Sequence, residues 1–124
     1  MASRTTGSAT ASGLANDASA NLTITAAKTY ALHKIQTSHA AWVTLYTDTT
    51  SRTADASRSE FTDPTPGSGV LAEVITSGSA TQLITPGTIC FNSSGSNTTY
   101  AKVVNKSGST VNLTVTLTLV GLEV

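Results

Sequence analysis

The chain has 124 residues, with seven basic and seven acidic side chains, and charged residues make up only 11% of it. Its length predicts one domain, large enough to bury roughly two-thirds of its unfolded surface around a single core. So neutral and charge-poor a composition excludes a nucleic-acid partner, which demands a Lys/Arg footprint, and excludes a polybasic membrane patch. Ser and Thr supply about a third of the residues, and the β-branched Thr, Val and Ile favour pleated, half-buried surfaces. Low net charge also favours association with like copies. The one cysteine, Cys90, lies between Ile89 and Phe91 and reads as a buried strand thiol. No apolar h-region stands at the N-terminus, so no secretory signal is expected, and no apolar run is long enough for a membrane span.

In chain order, residues 1–20 are dominated by Ala, Ser, Thr and Gly, with Leu14 the sole sizeable apolar residue after Met1. This predicts an extended low-complexity arm that cannot offset its own ordering entropy, followed by a β-domain over residues 21–124. Leu22 and Ile24 alternate with threonines and predict the first strand. Tyr30, Leu32 and, across a bulge, Ile35 predict the second. Trp42 to Thr47 reads as a strand with Val43 and Leu45 on one face and Trp42, Thr44 and Tyr46 on the other. Residues 48–69 are polar and hold Pro64 and Pro66, so a loop with a short edge strand or helical turn is expected, Phe61 tucking back as its anchor. The near-continuous apolar run from Val70 to Thr76 predicts a central strand. Two further strands, 81–85 and 88–92, flank the turn dipeptide Pro86-Gly87. Finally, Val111, Leu113, Val115, Leu117 and Leu119 alternate with Asn112, Thr114, Thr116 and Thr118. That is the signature of a strand buried on one side, and with residues 100–104 it predicts a C-terminal hairpin. The fold class is therefore all-β: a two-sheet antiparallel sandwich, jelly-roll or immunoglobulin-like, with an extended N-terminal arm.

No pattern of catalytic, cofactor-binding or metal-ligating residues is legible. His33 and His39 stand six apart across a predicted turn, and zinc would require two further ligands, for which only Cys90 or a distant carboxylate is at hand. No nucleophile elbow surrounds any serine. Asp48, Asp55 and Asp63 lack the spacing of a calcium loop, and capping or turn roles are expected for them. The Asn-X-Ser/Thr triplets at Asn21, Asn97 and Asn112 follow from the Ser/Thr content alone. An enzyme is the least expected class.

The run Tyr30-Ala31-Leu32-His33-Lys34-Ile35-Gln36-Thr37-Ser38-His39-Ala40-Ala41-Trp42-Val43-Thr44-Leu45-Tyr46-Thr47, continuing to Ala54-Asp55-Ala56-Ser57-Arg58 and Thr62-Asp63-Pro64, forms one distinctive stretch. Gly69-Val70-Leu71-Ala72-Glu73-Val74-Ile75-Thr76, with Asn105-Lys106-Ser107-Gly108 and the alternating tail, forms another. Together they resemble small virion structural proteins of tailed bacteriophages, including phages of cyanobacteria. The resemblance implies a non-enzymatic protein made in the host cytoplasm and located on the virion. Capsid decoration (cement) proteins are small, often β-rich and commonly use a terminal arm, which implies the major capsid protein as partner and homo-oligomeric or lattice contacts between copies. The contact residues expected on that basis are Ser3, Arg4, Thr5 and Leu14 in the arm, and Arg52, Arg58, Phe61 and Asp63 in the long loop. Two alternatives stay open. One is a tail, baseplate or fibre component binding a host glycan, which predicts an exposed aromatic platform including Trp42 or Tyr46. The other is a stand-alone carbohydrate-binding module.

Overall fold

The computed structural model describes residues 3–123. Eight strands and one short helix follow in the order β1 (Arg4–Leu14), β2 (Ser19–Thr25), β3 (Thr29–Thr37), β4 (Ala41–Tyr46), α1 (Thr49–Ala54), β5 (Val70–Ile75), β6 (Ala80–Phe91), β7 (Thr98–Asn105) and β8 (Val111–Gly121). They form two four-stranded sheets, β1-β8-β3-β6 and β2-β7-β4-β5, and every pairing is antiparallel. Successive strands alternate between the sheets except at β4–β5, and the first and last strands lie side by side. This is jelly-roll winding, not the immunoglobulin order.

The core lies between the sheets. Leu113, Val115, Leu117 and Leu119 of β8 point inward, against Leu22 and Ile24 of β2, Val43 and Leu45 of β4, and Val103 of β7. Their alternation is what the sequence predicts, because β8 is covered on one side only. The bulge expected in β3 is also present: the register shifts between Leu32 and Lys34.

The predicted arm is not an arm. Residues 4–14 pair with β8 along the sheet edge, Ala11 and Leu14 are buried in the core, and the expected boundary at residue 20 falls inside β2. The period-2 pattern exists, but it is written in small residues: Gly7, Ala9 and Ala11 face inward while Ser8, Thr10 and Ser12 are exposed. Small residues are required because the opposite sheet comes close at this edge. A Cβ on Gly7 would lie 2.1 Å from the Thr25 carbonyl oxygen, far inside contact distance.

Three further expectations are corrected. β7 and β8 are not a hairpin; they belong to opposite sheets, and the connection between them is a corner. Asn105 fixes it, its Nδ2 donating to the carbonyls of Leu14 at 2.7 Å and Ser109 at 2.8 Å. β5 is an edge strand, not a central one. Residues 80–91 form a single strand, in which Pro86-Gly87 belongs to a bulge instead of a hairpin turn. Leu32 pairs with Thr88 and Lys34 with Leu83, leaving residues 84–87 opposite His33.

Candidate interaction surfaces

Residues 47–69 fold back as a cap over the outer face of the β2-β7-β4-β5 sheet. Asp48 starts α1 in the manner its sequence position suggests: its carboxylate accepts from the Ser51 backbone N–H at 2.7 Å and from Ser93 Oγ at 2.9 Å. These bonds, the Ser51 amide first, hold its carboxyl down to about 2. At the other end of the cap, Gly69 has φ +88°, and a Cβ there would meet Ser51 Oγ at 2.1 Å. Both the backbone conformation and the space select glycine.

Beneath the cap lies a second, polar core around Trp42, which is only 5% exposed. Arg58 is its centre. Its guanidinium donates to Asp55 at 2.8 and 3.1 Å, to Glu73, and to the Thr62 carbonyl at 2.6 Å, and it lies 5.5 Å from the Trp42 ring centroid. Glu73 in turn accepts from Trp42 Nε1 at 2.8 Å and Thr44 Oγ1 at 3.1 Å. Tyr46 OH donates to Asp55 at 2.6 Å. Lys102, 3% exposed, sits 4.6 Å over the same indole and donates to the Asp55 carbonyl at 3.1 Å. Two cations thus share one aromatic ring between two carboxylates, a cation–π arrangement closed by ion pairs.

The charges behave as their surroundings require. Burial pushes the Lys102 ammonium below its ordinary value, against the pull of Asp55 and Glu73. Burial acts to raise Asp55, but the hydrogen bonds from Arg58 and Tyr46 outweigh it and leave the carboxyl below the usual aspartate range. Burial and the bond to Asp55 push the Tyr46 phenol up. Arg52 ties α1 down from the other side, donating to the Leu22 carbonyl at 3.1 Å and lying 5.3 Å from the Tyr100 ring. Lys106 bridges Asp17 at 2.9 Å and Glu60 at 3.0 Å. The carboxylates of Asp55 and Glu73 that face Arg58 are both engaged by it, so this chemistry clamps the cap.

The opposite sheet has no cap. Its outer face carries matched rows of hydroxyls: Thr6, Ser8 and Thr10 of β1 stand beside Thr118, Thr116 and Thr114 of β8, and Thr10 and Thr114 share a hydrogen bond of 2.8 Å. None of the four strands of this sheet contains an acidic residue.

The expected contact residues are accordingly scattered. Ser3, Arg4 and Thr5 are exposed at one end of the uncapped sheet, whereas Leu14 is in the core. Arg52 and Arg58 turn inward to hold the cap, so their charges are spent within the molecule. Phe61 does not anchor the loop; it is 88% exposed, and Asp63 beside it is exposed too. Trp42 and Tyr46 lie outside the inter-sheet core, yet the cap covers both. His33 sits at the β3 bulge, and His39 follows β3 with its Nδ1 2.9 Å from Ser38 Oγ. Cys90 is fully buried, its thiol pushed up to about 11 by that burial. Among the described residues no three His, Cys, Asp or Glu side chains converge on a metal position, and no helix is long and apolar enough to cross a membrane. No family model, no curated protein and no solved structure matches this chain.

Proposed function

We propose that this protein is a non-enzymatic component of a tailed-phage virion, a capsid decoration protein that binds the outside of the shell and bridges neighbouring major capsid subunits. The sequence runs around Trp42 and Val70 supply the class by resemblance. The single observation that carries the surface is the uncapped sheet: a broad array of short hydroxyl side chains with no acidic residue on its strands. The hydroxyl rows of β1 and β8 on this face pack beside a protein shell, or beside a like copy, with little desolvation of charge. Phe61 at the tip of the cap offers a second contact of the kind interfaces favour. With residues 4–14 built into the sheet, bridging is assigned to these two surfaces and not to an N-terminal arm.

A glycan-binding tail or fibre component is the second reading. It needs an open aromatic platform, and Trp42 and Tyr46 lie under the cap, so decoration is preferred. The test is copy number per virion, measured by quantitative mass spectrometry against the major capsid protein. Hundreds of copies in simple ratio to the shell protein support decoration. A few copies per particle transfer the protein to the tail, and absence from the particle overturns the virion reading.

A further inference from the structure

The paired bulges of β3 and β6 open the ladder of the uncapped sheet at one place. Residue 33 on β3 faces residues 84–87 on β6, and the gap is a cleft of about 320 Å³ lined by Arg4, His33, Lys34, Leu83, Ile84 and neighbouring residues. Bulges recur where a sheet must re-aim a side chain, often beside binding sites. This one gathers three basic residues from two strands that are not neighbours, since β8 lies between β1 and β3.

The charges of this cleft are unbalanced. Elsewhere Arg52 and Arg58 bond to carbonyls or carboxylates, and Lys102 and Lys106 are likewise engaged. Among the described residues, the side chains of Arg4, His33 and Lys34 have no hydrogen-bond or ion-pair partner. The strands around them carry no Asp or Glu. Leu83, more than half exposed, and Ile84 give the cleft an apolar wall. A two-fold contact that set this cleft against the same cleft of a second copy would bring Arg4 and Lys34 against like charges, which disfavours that arrangement.

We infer that the cleft binds a single carboxylate carried on a small apolar body, the anion meeting Arg4, His33 and Lys34 while the body rests on Leu83 and Ile84. The volume lies at the small end of ligand sites, and guanidinium–carboxylate recognition supplies direction as well as charge. The inference is independent of the virion reading. Two sources present this chemistry: a free organic acid, or a glutamate side chain offered by a partner protein.

Titration of the full chain with benzoate, followed through its amide 1H–15N shifts, tests the site. Saturable shifts confined to Arg4, Leu32 to Lys34, Leu83 to Thr85 and Gly87 are expected, with benzamide producing none. The double variant Arg4→Gln/Lys34→Gln should weaken benzoate by about tenfold or more, the loss of two charge-assisted contacts, with an unchanged melting temperature. An acetylated pentapeptide with a central glutamate between leucines separates the sources. Tighter binding than benzoate assigns the site to a partner's side chain, and equal or weaker binding assigns it to a free acid. Benzamide acting as strongly as benzoate, shifts centred on other lysines, or a double variant that binds like the parent would each overturn the inference.

Discussion

The two outer faces of this sandwich share one core and are finished in opposite ways. The β2-β7-β4-β5 sheet is roofed by residues 47–69, and the space beneath the roof is filled by Trp42, Arg58, Glu73, Asp55 and Lys102. The β1-β8-β3-β6 sheet is left open and dressed in threonine and serine. The strands record the difference. β4 is buried at every position from Ala41 to Tyr46, whereas β8 alternates buried and half-buried residues. A strand's pattern therefore reports how many of its faces are covered. The charged residues follow the same division: most of them are used to hold one loop, and few remain for the surface.

The largest effect should come from the open sheet's edge. Deleting residues 1–14 strips β8 of one of its two partners, leaving it as the sheet edge, and removes Ala11 and Leu14 from the core. The shortened chain should lose its cooperative thermal transition and become insoluble; an unchanged melt would show that β1 is dispensable. On the capped side, Arg58→Met keeps contact with Trp42 but removes the ion pairs to Asp55 and Glu73, leaving Lys102 as the cation near them. A cost of about 2–3 kcal/mol in chemical denaturation is expected, at the low end for a broken buried pair because Glu73 is partly exposed. Adding Glu73→Gln should restore part of it.

Acid should weaken the cap before the open face. An unfolded aspartate titrates near about 3.9, while Asp48 is held down to about 2, and Asp55 is shifted the same way. Their contributions are complete above the unfolded value and are lost as pH falls through the folded ones. The melting temperature should therefore drop between about pH 4 and pH 2, and Asp48→Asn, which keeps a capping oxygen but not the charge, should flatten that drop by lowering the value at neutral pH. The smallest effects come from one substitution made twice. Thr44→Val removes a donor to Glu73 beneath the cap and should cost about 1 kcal/mol. Thr116→Val on the open sheet should stay within about 0.5 kcal/mol of the parent. Equal costs would mean that the two faces are not as different as their burial suggests.

Large alternating side chains were legible in the sequence, and so β2, the bulged β3 and β8 were found where they lie. β1 was not, because its inward positions are glycine and alanine, and a periodicity sought in bulky residues passes over them. Pairing partners were equally hidden. Nothing local to Val103 or Val115 says that their strands belong to different sheets, since that depends on the corner held by Asn105. Arg58 was read as a contact residue and Asp55 as a turn residue, and the contribution of Glu73, fifteen residues beyond Arg58, is a tertiary fact. That contribution turned Arg58 from an expected contact into an internal clamp. Phe61 went the other way, because an aromatic residue in a polar loop reads as an anchor until the fold shows nothing for it to reach. The cleft was invisible for a related reason: Arg4 approaches His33 and Lys34 only across β8.

The pairing of Arg4 with Val120 has a topological consequence. The start of the first strand and the end of the last emerge at the same corner, so the sandwich is nearly a closed ring with its seam beside the basic cleft. A short linker across that seam would let the chain be opened elsewhere, at the exposed tip of the cap for instance, with the same sheets retained. Cargo fused to either end would also be displayed from one and the same point on the molecule.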